Sequence, residues 1–276
     1  MTWTKSVGVV GLLAVASASF AIVDSFVLNH NGATYSEGNL RLPGTNSNNG
    51  LANFSTSNGI DNLAQNWWWF RFTGDGREFA LSNQVFSQQD SPSTIRLVYR
   101  ERDVIFDLQY TLTALNPNHA RVQIGFKIEN LRNTPVGVDF FSYTDYDLNN
   151  TAGDDTGQFV GPNYMTVTDG ASPTWGTLTA SAGSLIGWEM RDYPNLVGRL
   201  SNNQITNLNN GADAGPNDWT GAFQWRVDLT PPSTGGFGNQ FVGSLVKEIY
   251  NPVPEPASLL ALAGGLGLLV ARRRRK

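Results

Sequence analysis

VIFDLQYTLTALNPNHARVQIGFKIEN, residues 104–130, alternates apolar and other side chains with a period of two. Val104, Phe106, Leu108, Tyr110 and Leu112 fall on one side of an extended chain. Ile105, Asp107, Gln109, Thr111 and Thr113 fall on the other. Past Asn116-Pro117-Asn118-His119 the pattern resumes, with Val122, Ile124, Phe126 and Ile128 on one side. Side chains of a strand point alternately to its two faces, so both segments read as half-buried strands. The short turn-rich link between them predicts an antiparallel hairpin.

The pattern extends outward from this hairpin. Ile95, Leu97 and Tyr99 lead through Arg100-Glu101-Arg102-Asp103 into the same sheet, and Asn133-Thr134-Pro135 turns the chain into a strand over 136–146. Further strands are expected at 21–28, 67–72, 79–86, 165–168, 185–190, 222–229 and 242–250. Residues 30–62 and 200–220 are rich in Asn and Gly and read as long loops. No segment between the two ends holds a helical period over three turns. Many short strands between frequent turns predict an all-β chain, an antiparallel two-sheet β-sandwich of the large kind over 22–251. The run 122–146 resembles large β-sandwich carbohydrate-active proteins, a likeness of fold alone.

The two ends are of another kind. Lys5, the apolar Val7–Val15 and the small residues Ala16 to Ala21 have the layout of a secretory signal peptide over 1–21. Cleavage is expected after Ala18 or Ala21. At the other end, Val253-Pro254-Glu255-Pro256 is followed by an apolar run from Ala257 to Ala271, then by Arg272, Arg273, Arg274, Arg275 and Lys276. The prolines keep their segment extended and open to a protease. The apolar run predicts a short transmembrane helix over 257–271, and the cations after it are expected to stay cytoplasmic.

These three features in this order resemble the PEP-CTERM sorting signal of Gram-negative, exopolysaccharide-producing bacteria. The resemblance covers 252–276. It implies export through the Sec translocon, an inner-membrane-anchored intermediate and processing by exosortase. Delivery to the cell surface or an exopolysaccharide biofilm matrix would follow.

Composition narrows the chemistry. Six of the 19 Lys and Arg lie in the two terminal segments, against one of the 23 acids. The remainder carries 13 positive and 22 negative side chains, a net charge of −9. Such a surface repels phosphate backbones and argues against nucleic-acid binding. The absence of cysteine removes thiol catalysis and thiolate metal sites, and leaves an exported fold without disulfides. His30 and His119 are the two histidines, too few for a His-rich zinc site.

Two constellations remain. The acidic loop 144–155 places Asp145, Asp147 and Asn149 at alternate positions, with Asp154 and Asp155 close behind. Hard Ca²⁺ takes six to eight oxygens, and these side chains supply several. Asn150 stands where an EF-hand needs glycine and Thr156 where it needs a bidentate acid, so an EF-hand is ruled out. The rival reading is a solvated loop whose Asp residues cap turns. In Trp67-Trp68-Trp69-Phe70, Trp67 and Trp69 share a face and are candidates for stacking on glycan rings. Packing between layers is the alternative.

The sequence therefore reads as an exported structural or glycan-binding protein that requires no cofactor beyond a candidate Ca²⁺. The alternative is a secreted glycosidase or lyase using two of Glu78, Glu101, Glu129, Asp145, Asp147 and Glu189. No Gly-x-Ser-x-Gly, His-Glu-x-x-His or phosphate-loop motif supports that alternative.

Overall fold

The computed structural model describes residues 22–42, 50–234 and 238–252. The signal-peptide segment 1–21, the sorting residues Val253 to Pro256, the apolar run 257–271 and the basic tail lie outside them. No helix among the described residues is long and apolar enough to cross a membrane.

The first sheet runs through β1 (Ser25–His30), β2 (Ala33–Gly38) and β3 (Ala52–Ser55). β4 (Gln65–Phe72) and β5 (Phe79–Ala80) begin the second sheet. The third starts with β6 (Gln84–Ser91), β7 (Thr94–Glu101), β8 (Val104–Asn116) and β9 (His119–Asn130). The chain returns to the second sheet in β10 (Val136–Asp145) and to the third in β11 (Asp155–Gly161), β12 (Tyr164–Asp169) and β13 (Trp175–Ala180). Then follow β14 (Leu185–Asp192), α1 (Asn195–Ser201), β15 (Gly211–Ala212), β16 (Trp219–Leu229) and β17 (Gln240–Tyr250).

Spatial order is β15-β14-β16-β10-β4-β5 in the six-stranded sheet and β11-β12-β13-β17-β9-β8-β7-β6 in the eight-stranded one. All pairings are antiparallel except β14 with β15. The all-β expectation holds, with a third, three-stranded sheet added to the two that the sequence predicts.

The 104–130 hairpin forms as its alternation requires. Leu108 pairs with Phe126, and Asn116 with His119 across the turn. Val104, Phe106, Leu108, Tyr110, Leu112, Val122, Ile124, Phe126 and Ile128 are all buried. Arg102 and Asp103, between β7 and β8, both have positive φ (47° and 62°), the conformation of a two-residue hairpin turn.

The inner faces of the two large sheets meet in one aromatic core. Trp68 and Phe140 of the six-stranded sheet stack at 5.0 Å, and Phe140 lies 5.4 Å from Phe106 and 5.1 Å from Phe126 of the other. The three-stranded sheet packs on β8, where Phe26 and Tyr35 contact Tyr110.

Three expectations are corrected. Residues 30–62 are not one loop, since they hold β2 and β3. The expected strand 79–86 is two strands in different sheets, because the chain crosses between layers at 81–83. Residues 200–220 include the end of α1 and β15.

One close approach fixes the start of β16. Trp219 is fully buried between two glycines. A Cβ at Gly157 would fall 2.0 Å from its Nε1, and one at Gly221 would fall 2.4 Å from its ring. Gly157→Ala is therefore expected to cost about 1–3 kcal/mol through overpacking, read as a lower urea midpoint at unchanged slope.

Candidate cation site

β10 carries Phe141, Tyr143 and Asp145 on the face turned away from the inter-sheet core, and Asp145 is its last residue. The chain then bends through Leu148–Asn150, where Asn149 and Asn150 both sit at φ 58°. Asp145 pairs with Thr220 across the β10–β16 ladder. That register brings Asp218, just before β16, beside the end of β10. Asp155 opens β11 and exchanges backbone hydrogen bonds with Asn217, at 3.2 and 3.0 Å. Two chain segments far apart in sequence are thus tied together at one corner of the sandwich.

Carboxylate oxygens of Asp145, Asp147 and Asp218 lie within 4.8 Å of one another. Asp145 is buried at 3 % exposure and Asp155 at 0 %. The Oδ1 atoms of Asp145, Asp147, Asp154, Asp155 and Asn217 are all buried without a hydrogen-bond partner. Buried polar atoms are nearly always paired, so five orphaned oxygens in neighbouring residues demand a physical account.

The ionisation of the corner follows from this crowding. Burial pushes the Asp145 carboxyl well above its usual range, and Asp147 and Asp218 push it further. Asp147 is raised to about 6 by burial, then by Asp218 and Asp61. Asp155 is raised to about 8 by burial, with Asp154 and Asp169 adding to it. Asp218 is raised by burial and by Asp192. The buried amine of Lys247 donates to Thr144 Oγ1, on the residue before Asp145. Burial lowers that amine to about 7, against the opposing pull of Glu37 and Asp145.

Like charges held this close favour protonation or a bound cation. Oxygens sharing one Ca²⁺ at 2.3–2.6 Å stand no more than about 5 Å apart, a condition the triad meets. An all-oxygen donor set suits a hard ion and not zinc or copper.

The residues expected from sequence are not all gathered here. Asp145 and Asp147 join the triad, Asp155 lies close enough to act on both and keeps an orphaned oxygen, and Asp154 is gathered only as far as its neighbour Asp155. Asn149 breaks the expected alternation, because the extended chain ends at Asp145 and the Asn149 N–H donates to Asn62 Oδ1 at 2.8 Å. Asp218 was not legible in the sequence, since only the β10–β16 register places it.

Trp67 and Trp69 do share a face, and they contact each other at 4.5 Å. Both are buried, at 6 % and 1 %, under Leu196, Val197 and Leu200 of α1 and under Leu208. This cover leaves neither indole as an open platform for a sugar ring.

The candidate glutamates have partners. Glu78 pairs with Arg71 at 2.7 Å, Glu129 with Lys127 at 2.8 Å, and Glu189 with Arg191 at 2.6 Å and with Arg199. Glu101 accepts the Ser82 and Asn83 N–H groups at 3.0 and 2.9 Å. The sequence also gave no sign of the buried network in which Arg71 bridges Glu78 and Asp139.

Residues 252–276 match the PEP-CTERM protein-sorting motif. No curated protein matches the chain. Among solved structures, the fold is similar to a bacterial glucoamylase complexed with acarbose, at 10% identity and a TM-score of 0.49. That likeness covers 85% of this chain and 31% of the glucoamylase, so the chain spans under a third of its length. It is also similar to a putative aldose 1-epimerase from Escherichia coli K12, at 9% identity and a TM-score of 0.48, covering 83% of this chain and 99% of that one.

Proposed function

We propose that this chain is an exosortase substrate whose β-sandwich serves at the cell surface or in the surrounding matrix as a structural or binding module. Its acidic corner takes up Ca²⁺ once the protein is outside. The observation that carries the reading is the sorting motif at 252–276. A protein bearing it is exported, so its folded part meets extracellular calcium, where modules with dissociation constants of about 10⁻⁴–10⁻³ M are loaded.

The chain has no cysteine, so no disulfide can tie its loops. A cation held by Asp145 and Asp147 on one segment and Asp218 on another would supply a comparable link. It would form only after export, because the cytoplasm holds little free calcium. The glutamates of the rival hydrolase reading are engaged by arginine, lysine or backbone amides, and its two aspartates, Asp145 and Asp147, belong to the corner we assign to Ca²⁺, so a binding or structural role is favoured over glycoside hydrolysis.

Partners in this reading are the Sec translocon, exosortase and the membrane that holds the 257–271 segment during processing. Exopolysaccharide is the neighbour in the matrix. A chain truncated before Pro254 is expected to be exported and to appear as soluble protein in the medium or periplasm. Fractionation of cells expressing it reads the outcome. Membrane association equal to that of the full chain would overturn the sorting role assigned to the tail.

A further inference from the structure

The chain leaves the described fold at one end of the eight-stranded sheet, and it leaves from a fixed point. Asn251, the residue after β17, is buried at 2 %. Its N–H donates to the Asn118 carbonyl at 2.9 Å, and its Nδ2 donates to Asn62 Oδ1 at 3.2 Å. Asn58 Nδ2 donates to its carbonyl at 3.4 Å. Only Pro252 to Pro256 stand between Asn251 and the apolar run that starts at Ala257. These five residues reach at most about 18 Å even when fully extended. The headgroup layer of a bilayer takes up about 5–7 Å of that length.

That end of the sheet carries an aromatic row. Tyr250, the last residue of β17, pairs with Trp175 of β13 on one side and with His119 of β9 on the other. Trp175 and Tyr250 stack at 5.5 Å, and His119 makes a T-shaped contact with Trp175 at 5.4 Å. All three side chains are half-buried, so part of each meets solvent. The adjoining β8–β9 turn adds the exposed Leu115 and Pro117. The Glu248 carboxylate on this face is held by Arg121, at 2.5 Å, and by His119, at 3.3 Å.

We infer that this end of the sandwich rests on the lipid surface while the tail is anchored, with Trp175, Tyr250 and Leu115 entering the headgroup layer. Tryptophan and tyrosine favour that layer because one end of the side chain is apolar and the other stays wet. The short link supplies the rest. It holds the patch beside the bilayer at a high effective concentration, so a small apolar surface suffices. The inference rests on the proposed retention of 257–271 in the membrane during processing. It needs neither the cation nor a glycan.

The test uses the exported protein with its tail intact, expressed in cells lacking exosortase and reconstituted in phosphatidylcholine vesicles. Zwitterionic lipid avoids repulsion of the net negative chain. Bromine atoms on the acyl chains near the headgroups quench the fluorescence of any indole that touches them. Flotation with the vesicles and quenching are both expected. Trp175→Phe should remove most of the quenching. Trp175 and Trp188 are the half-buried indoles among the described residues, and Trp67, Trp68, Trp69, Trp219 and Trp225 are buried. Trp188→Phe is the control, because that residue lies mid-strand in β14 of the other large sheet, and its loss should leave the quenching unchanged.

Flotation without quenching, or quenching that Trp175→Phe leaves in place, overturns the inference and makes a protein the partner of this end. Failure to float refutes the anchoring role of the tail, and this inference with it. The calcium response is read separately and stands in either case.

Discussion

Ca²⁺ at about 10 mM, roughly one hundred times a dissociation constant of about 10⁻⁴ M, is expected to raise the melting temperature of the exported protein by roughly 5–10 °C over the same protein in EDTA. A ligand at about one hundred times its dissociation constant stabilises the folded state by ~2.7 kcal/mol, and each kcal/mol moves the melting point of a domain this size by about 2–4 °C. The effect arises because Asp145, Asp147 and Asp218 are crowded together only in the folded chain. Asp218→Asn, with affinity at least about tenfold weaker, should cut the rise by half or more. Without calcium the same variant should melt no lower than the wild type, because one of several repelling charges is gone.

The pH dependence follows from the same groups. Asp147 titrates near 6 and Asp155 near 8 in the fold, both above the ordinary carboxylate value. A raised acid contributes stability that is complete below its unfolded value and lost as pH rises through the folded one. In EDTA, stability is therefore expected to fall between about pH 4 and 8. Calcium, which binds the deprotonated groups, should flatten that fall. Melting curves at several pH values, with and without the ion, check both slopes.

Arg71→Ala is expected to cost about 3–5 kcal/mol, the penalty for removing one partner of a buried ion pair. Arg71 is buried at 5 %, and it holds Asp139 at 2.6 Å, Glu78 at 2.7 Å and the Thr206 carbonyl at 2.8 Å. Asp139 would keep Arg226, at 2.7 Å, but Glu78 would lose its only cation among the described residues. Arg226→Ala is the control. Its side chain is 51 % exposed, so its pair is screened by water and its loss should cost no more than about 1 kcal/mol. Urea unfolding of the two variants reads the contrast. Equal losses would contradict the central place given to Arg71.

The strands that could be read from sequence are those with one face in the core. β8 and β9 keep a clean alternation because their outer faces meet water. β2 does not, since its buried face carries Glu37 beside Ala33 and Tyr35. That carboxyl is raised to about 7 by burial and is satisfied by Tyr35, Asn66 and Tyr110. Asn66 and Tyr110 are distant in sequence, so nothing local marks the segment as a strand. The strand expected at 67–72 forms as β4, but its sequence did not say which face is covered, because every residue of β4 is buried. Its second cover includes the seven-residue α1, too short for a helical period to stand out.

The acidic corner was legible by half. Asp145 and Asp147 stand out in the sequence as closely spaced acids. Asp218 joins them only because β10 and β16 pair with Asp145 opposite Thr220. Asn149 seemed to belong from its spacing, but spacing predicts direction only while the chain stays extended, and here it bends into two left-handed residues.

The central claim, a calcium site built from two segments of an exported sandwich, is tested most directly by calorimetric titration of the exported protein with CaCl₂ at pH 7. The titration is run in two buffers of different ionisation heat. The expected result is one Ca²⁺ per chain with net proton release, because the Asp155 carboxyl, raised to about 8, holds its proton at that pH until the ion displaces it. Asp218→Asn should bind more weakly by at least about tenfold, as loss of one charged ligand implies. Absence of binding heat in both buffers, with Asp218→Asn indistinguishable from the wild type, would contradict the account.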